Sequence, residues 1–128
     1  MTVTETQDVA PAASRQVVLE ASGVTMRFGG LTAVDDVSMK VHEGEIVSLI
    51  GPNGAGKTTL FALLSGFLRP ESGAIAFRSR DIAGLPPHAI CRLGMTRTFQ
   101  IVQPFAGQTV RDNIAVGAHL HHRRRAAA

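Results

Sequence analysis

The chain has 128 residues, 45% of them hydrophobic, one cysteine and a formal net charge of +3, which is the size of one ordinary domain with enough apolar material for a core. The lone thiol, Cys91, excludes an intrachain disulfide and fits a reducing compartment, and no apolar stretch approaches the roughly 18 residues that a membrane-spanning helix needs. Nucleic-acid binding is not indicated, because three of the thirteen cationic residues sit in the run Arg123-Arg124-Arg125 and no basic stripe interleaved with aromatics occurs elsewhere.

Residues 1–15 mix Thr, Glu, Gln, Asp, Ala and Pro without a basic or an apolar run, and so read as a disordered lead-in rather than a signal peptide. A partial domain is expected over residues 16–128. Residues 17–21 read as a first strand, Phe28-Gly29-Gly30 as a glycine turn, and residues 37–41 as a half-buried strand with alternating polarity. After Glu43-Gly44-Glu45, residues 46–50 form a short apolar run expected to be the central strand, covered on both faces. Leu60, Phe61, Leu63, Leu64 and Phe67 then recur at helical spacing and predict a helix with a broad buried face, stopped by Gly66 and Pro70. A strand pair is expected around residues 73–77, a short helix opened by Pro86-Pro87 and running through Arg92, and a further strand over 95–99. Residues 109–120 predict a helix with Thr109 as N-cap, followed by the tail from His121 to Ala128, which does not look like a domain ending.

Between the apolar run and the first helix lies Gly51-Pro52-Asn53-Gly54-Ala55-Gly56-Lys57-Thr58-Thr59, a full match to G-x-x-x-x-G-K-[ST] in its strand-before, helix-after setting. Glycines at 51, 54 and 56 admit backbone conformations closed to residues with a Cβ, so successive N–H groups can converge on one anion. Lys57 supplies a point charge for the β- and γ-phosphates, the helix that follows points its positive dipole end at them, and the Thr58 hydroxyl suits Mg²⁺. Asn53, Gly54, Ala55, Gly56, Lys57, Thr58 and Thr59 are the candidate nucleotide contacts.

From about Val18 to its end the chain resembles the ATP-binding subunits of ABC transporters. The fold class this implies is α/β: the P-loop core of an ABC nucleotide-binding domain with an N-terminal antiparallel β portion, ending before the helical subdomain and later strands. The resemblance puts Phe28, in Met26-Arg27-Phe28-Gly29-Gly30, where the family stacks an aromatic ring on adenine, and Val34 where a small apolar residue flanks the base. Gln100, in Arg97-Thr98-Phe99-Gln100, looks like the Q-loop glutamine, which joins the Mg²⁺ shell beside Thr58 and whose loop meets the membrane subunit. Thr109-Val110-Arg111-Asp112-Asn113-Ile114 is similar to the family's T-V-x-x-N-[IL] segment. Arg27-Phe28-Gly29-Gly30-Leu31-Thr32-Ala33-Val34, the P-loop and Arg97 to Gln100 together resemble the subunits of branched-chain amino acid uptake systems, while importers of urea or other amides share much of this pattern. The resemblance implies ATP and Mg²⁺ as cofactors, transmembrane permease subunits and a second ATP-binding subunit as partners, and a peripheral place on the cytoplasmic face of the plasma membrane.

The family's later motifs, L-S-G-G-Q, a Walker B strand ending in Asp and a catalytic Glu, and a switch His, do not occur in the 128 residues. No catalytic residue is therefore assigned, a truncation is expected, and hydrolysis by this chain alone is expected to be negligible. Three readings stay open: an ATP-driven import subunit, a nucleotide binder without turnover, and an unrelated P-loop kinase or GTPase, for which the guanine-reading N-K-x-D is missing. The five histidines lack metal-ligand spacing, and the terminal arginines read as a solvated face.

Overall fold

The structure, a computed structural model, describes residues 2–5, 15–101 and 104–125, with residues 2–5 and 119–125 described by their backbone only. Apolar and β-branched side chains continue well past the stretch expected for the first strand, and β2 (Val17–Phe28) runs for 12 residues. It pairs antiparallel with β3 (Leu31–His42), Phe28 opposite Leu31 across the Gly29-Gly30 turn. Polar pairs that would break the alternation, Ser22-Gly23 and Asp35-Asp36, sit where the register shifts. Their backbone is satisfied locally: Gly23 N–H donates to Ser38 Oγ at 2.9 Å and Asp36 N–H to Thr25 Oγ1 at 3.0 Å. Such irregularities let one strand stay continuous while it bends.

β5 (Ser72–Phe77) takes the other edge of β2, and β6 (Arg80–Asp81) follows it, so the sheet order is β3-β2-β5-β6 and every pairing is antiparallel. The β5–β6 turn places Arg78 and Ser79 at φ 49° and 62°, between the paired residues Phe77 and Arg80. A two-residue turn with both central residues at positive φ favours Asn-Gly, not Arg-Ser. The double variant Arg78→Asn/Ser79→Gly should therefore stabilise the chain by about 1 kcal/mol, from the left-handed penalty it relieves, read as a rise in the urea midpoint at unchanged m-value.

β4 (Val47–Ile50) corrects one expectation. It stands outside the four-stranded sheet, pairs among the described residues only with β1 (Thr2–Glu5), and is not covered on both faces: Ile46 is 78% and Ile50 59% exposed. Neither end of the larger sheet reaches it, since β3 and β6 are the edges there and neither joins β4. Residues 2–5 of the expected lead-in pair with β4 as β1; residues 6–14 lie outside the described residues. The turn into β4 is held by Glu45, whose Oε2 accepts from His42 N–H at 2.6 Å and lies 2.9 Å from His42 Nδ1. These two contacts hold the Glu45 carboxyl below its ordinary pKa.

α1 (Lys57–Leu64) and α2 (Pro87–Leu93), with Pro87 at the start of its first turn, bury Leu60, Leu63, Leu64 and Ile90 together with Ala21, Val24, Val34, Ile75, Phe77 and Ile82. The buried face of α1 is narrower than expected. The helix ends at Leu64 and closes through a wider turn in which Phe67 N–H donates to Ala62 O at 2.9 Å, which takes Phe67 off the helical stripe, and Phe61 and Phe67 are 49% and 51% exposed. Beside Phe61 a cavity of about 130 Å³ remains between β2, β3, β4 and α1, lined by Leu19, Met39, Val41, Val47, Leu49 and Leu64 among others.

Residues 95–99 form no strand; the chain leaves α2 through Gly94 at φ 107°. The chain divides after Met95, and the second unit, Thr96–Ala128, is built on α3 (Val110–Arg125). Thr109 is its cap as expected: Thr109 Oγ1 accepts from Asp112 N–H at 3.2 Å and donates to Asp112 Oδ2 at 2.6 Å. Asn113 fixes the preceding turn, its Oδ1 accepting from Phe105 N–H at 2.9 Å and its Nδ2 donating to the carbonyls of Phe105 and Thr109. The helix continues past Leu120 through the histidines and arginines of the tail. Among the described residues no helix is long and apolar enough to cross a membrane.

Candidate functional site

The candidate site is the loop between β4 and α1. Gly51 ends the strand, Ala55 N–H donates to Pro52 O at 3.2 Å to close a turn, and Gly54 and Gly56 take φ 82° and 83°. Gly56 is the N-cap of α1 and carries no side-chain cap. The first intrahelical bond is Leu60 N–H to Gly56 O at 2.9 Å, so helix geometry leaves the N–H groups of Lys57, Thr58 and Thr59 without an intrahelical acceptor. No acidic residue stands in that first turn to compete for them. This is an anion site built from backbone dipoles.

What seats the loop is a contact that motif reading does not reveal. A Cβ built on Gly56 would lie 2.0 Å from the Ala33 carbonyl oxygen and 3.2 Å from its carbon, so the loop backbone rests directly on β3. A Cβ built on Gly54 would meet nothing within 4 Å. Both glycines satisfy a conformational need, but only Gly56 also satisfies a steric one. Ala33 is thus a site residue missed at the level of sequence, where nothing marks an alanine carbonyl as a seat.

Lys57 is half-buried, and its Nζ donates to Gly51 O and Pro52 O, each at 2.6 Å. An ammonium has three donors. Two of them tie the side chain to its own loop, which fixes the charge over the helix N-terminus and leaves one N–H to direct at an anion. Thr58 is exposed and Thr59 half-buried; Asn53 and Gly54 are exposed.

Phe28 lies at the end of β2 beside the glycine turn and is 47% exposed. Val34, which the resemblance sets beside the base, is a core residue in this structure. It is 3% exposed, belongs to the core cluster, and its Cγ2 lies 3.6 Å from the position of a Gly56 Cβ; it backs the loop from inside because β3 turns this residue toward α1. Gln100 is exposed and lies in the unit Thr96–Ala128, where the Arg97 guanidinium sits 5.1 Å from the Phe99 ring centroid. Among the described residues no cluster of His, Cys, Asp and Glu could hold a metal by itself.

Comparison with known proteins agrees with this geometry. A family model described as ABC transporter matches residues 34–128. The high-affinity branched-chain amino acid transport ATP-binding protein BraF of Pseudomonas aeruginosa is 53% identical over 104 residues, 81% of this chain and 41% of that protein. LivG of Escherichia coli, of the same description, is 50% identical over the same shares. The spermidine/putrescine import ATP-binding protein PotA of Nitrosospira multiformis is 46% identical over 98 residues, 77% of this chain and 26% of that protein. Among solved structures, an ATP-binding cassette of an ABC transporter superposes with a TM-score of 0.73 at 36% identity, covering 80% of this chain and 40% of that one; another, in its ADP conformation, gives 0.67 at 29%, covering 79% and 46%. The chain spans about two fifths of the length of the curated branched-chain relatives it matches.

Proposed function

The chain belongs to the ABC transporter family, and from that premise we propose that it supplies the phosphate-binding part of the ATP-binding subunit of an importer, with branched-chain amino acids as the solutes. The observation that carries this reading is Lys57, held by two loop carbonyls at 2.6 Å over a helix N-terminus with no acidic neighbour in its first turn. The solute reading rests on the identity to BraF and LivG, and uptake of urea or other amides is its nearest alternative.

The residues present fit ATP and Mg²⁺. Gly54 and Gly56 take the positive φ that the loop needs and Gly56 lets it rest on Ala33, Lys57 supplies the charge, and the α1 N-terminus supplies the N–H groups for phosphate oxygens. Bound Mg²⁺ would neutralise charge between the β- and γ-phosphates, with the exposed Thr58 hydroxyl as its protein donor. Gln100 carries the Q-loop reading on its sequence context alone. Phe28 stacks on the adenine. Partners on this reading are transmembrane permease subunits and a second ATP-binding subunit, at the cytoplasmic face of the membrane.

A second reading, nucleotide binding without turnover by these 128 residues, is favoured by the missing L-S-G-G-Q and Walker B sequences. Positioning the attacking water needs groups that none of the assigned residues provides. Side-by-side assays of Mg-ATP binding and phosphate release should give binding and no turnover above buffer; robust release would contradict this assignment of the machinery. Phe28→Ala should weaken ATP by roughly 5- to 150-fold, the range of about 1–3 kcal/mol for stacking of a base on an aromatic side chain, and leave inorganic triphosphate binding unchanged. Equal loss for both ligands would remove Phe28 from the base site.

A further inference from the structure

The sequence has two asparagines, and the structure sets them in opposite circumstances. The Asn113 side chain accepts from Phe105 N–H and donates to the carbonyls of Phe105 and Thr109, and its successor in α3 is the β-branched Ile114. Asn53 is followed in the phosphate loop by Gly54, and both are exposed. Among the described residues no hydrogen bond holds the Asn53 amide or Gly54 N–H. The turn that contains them closes on one bond, Ala55 N–H to Pro52 O at 3.2 Å, the long end of the ordinary range. A Cβ built on Gly54 would meet nothing within 4 Å, so no neighbour crowds the residue. This openness is what the site requires, because a phosphate must enter the same loop.

We propose that Asn53-Gly54 is a self-modification site, at which the empty phosphate loop converts its own asparagine to aspartate or isoaspartate and loses affinity for anions. The Gly54 nitrogen, its proton removed by hydroxide, attacks Asn53 Cγ. The N–Cγ bond forms, the Cγ–Nδ2 bond breaks, and ammonia leaves with a proton from water, which regenerates hydroxide and yields a five-membered succinimide. Water then adds to one of the two imide carbonyls. Opening at the side-chain carbonyl gives aspartate at position 53, and opening at the other routes the main chain through Cγ as isoaspartate. Glycine suits the attack because no Cβ hinders its nitrogen, whereas the branched Cβ of Ile114 crowds the same approach at Asn113.

With Gly54 at φ 82° the turn has the pattern of type II, whose first central residue holds ψ at about 120°. Ring closure requires that bond to rotate until the Gly54 nitrogen comes round to the side chain, so the reaction runs from the opened turn. A ligand that binds only the closed loop slows it by mass action. Both products set a carboxylate where phosphate is to bind, and isoaspartate also lengthens the main chain beside Pro52, whose carbonyl holds Lys57 Nζ at 2.6 Å. The consequence for binding rests on the phosphate-site reading; the modification itself does not.

The test ages the 128-residue chain in mildly alkaline buffer, with and without Mg-ATP, and compares its asparagine peptides by mass spectrometry. Conversion at Asn53 should be at least ~10-fold faster than at Asn113, and should slow about tenfold with Mg-ATP at ten times its Kd. The converted chain, isolated by ion exchange, should bind Mg-ATP at least ~10-fold more weakly than the parent. Asn53→Gln, whose ring would be one atom larger, should keep its own starting affinity through the same ageing. Conversion at Asn53 no faster than at Asn113, an unchanged rate with nucleotide bound, or full affinity in the converted chain would overturn the proposal. A fresh, folded parent that does not bind Mg-ATP would instead sink the phosphate-site reading, while the ratio of Asn53 to Asn113 conversion still decides the modification.

Discussion

Gly56→Ala should abolish measurable nucleotide binding, whereas Gly54→Ala should weaken it only modestly, although the two glycines have nearly the same φ, 83° and 82°. An alanine at either position incurs the left-handed backbone penalty, about 1–2 kcal/mol. At position 54 that is the whole effect, because a Cβ there meets nothing within 4 Å. At position 56 the new methyl would stand 2.0 Å from the Ala33 carbonyl oxygen, a distance at which backbone must move. Either β3 yields or the loop lifts, and a lifted loop carries Lys57 and the first turn of α1 away from their common focus. We expect Gly56→Ala to lose about 3 kcal/mol or more of stability, the conformational penalty plus an overpacking cost of about 1–3 kcal/mol, and Gly54→Ala to lose no more than the conformational part. Urea unfolding and ATP titration of the two variants check this. Equal behaviour would mean that the seat on Ala33 has no role.

Much of this site was legible before any coordinates. The motif from Gly51 to Thr59 declares its own chemistry because each residue type answers a local demand: positive φ, a point charge, a hydroxyl, a helix start. The Thr109 cap was legible for the same reason, since Thr109 and Asp112 satisfy each other within one turn. The limits of sequence reading appear where the deciding contact is distant in the chain. Nothing near Val34 in the sequence places it in the core behind the loop, because that depends on which way β3 faces α1. Residues 46–50 look like a fully buried strand, because an apolar run states what a strand could bury and not which strands are present to cover it. The 95–99 stretch has strand composition but no partner edge, and composition alone does not make a ladder. Phe61 and Phe67 fit a helical stripe only if the helix continues, and it ends at Leu64.

Lys57→Ala is the second variant with a large expected effect. In the free chain it removes two hydrogen bonds, one to the part-buried carbonyl of Gly51 and one to the exposed carbonyl of Pro52, a loss of about 0.5–1.5 kcal/mol each at most, so the variant should fold and melt a few degrees lower. With nucleotide the deficit is larger. A charge-assisted hydrogen bond to phosphate contributes about 1.5–3 kcal/mol, and Lys57 is the only cationic side chain in the loop from Gly51 to Thr59. With the ammonium's long-range attraction for the remaining phosphate charge added, affinity should fall by at least ~100-fold, equivalent to about 2.8 kcal/mol. Lys57→Arg should not rescue it, because a planar fork cannot place donors on Gly51 O, Pro52 O and an anion as a compact ammonium does.

The claim at the centre of this account is that a preset lysine over the α1 N-terminus makes these residues a phosphate site. The most direct measurement is a calorimetric titration of Mg-ATP into the 128-residue chain and into Lys57→Ala, each shown to be folded by circular dichroism. Saturable binding to the parent that falls at least ~100-fold in the variant is the predicted result. Equal affinity in both, or no binding to a folded parent chain, would contradict it.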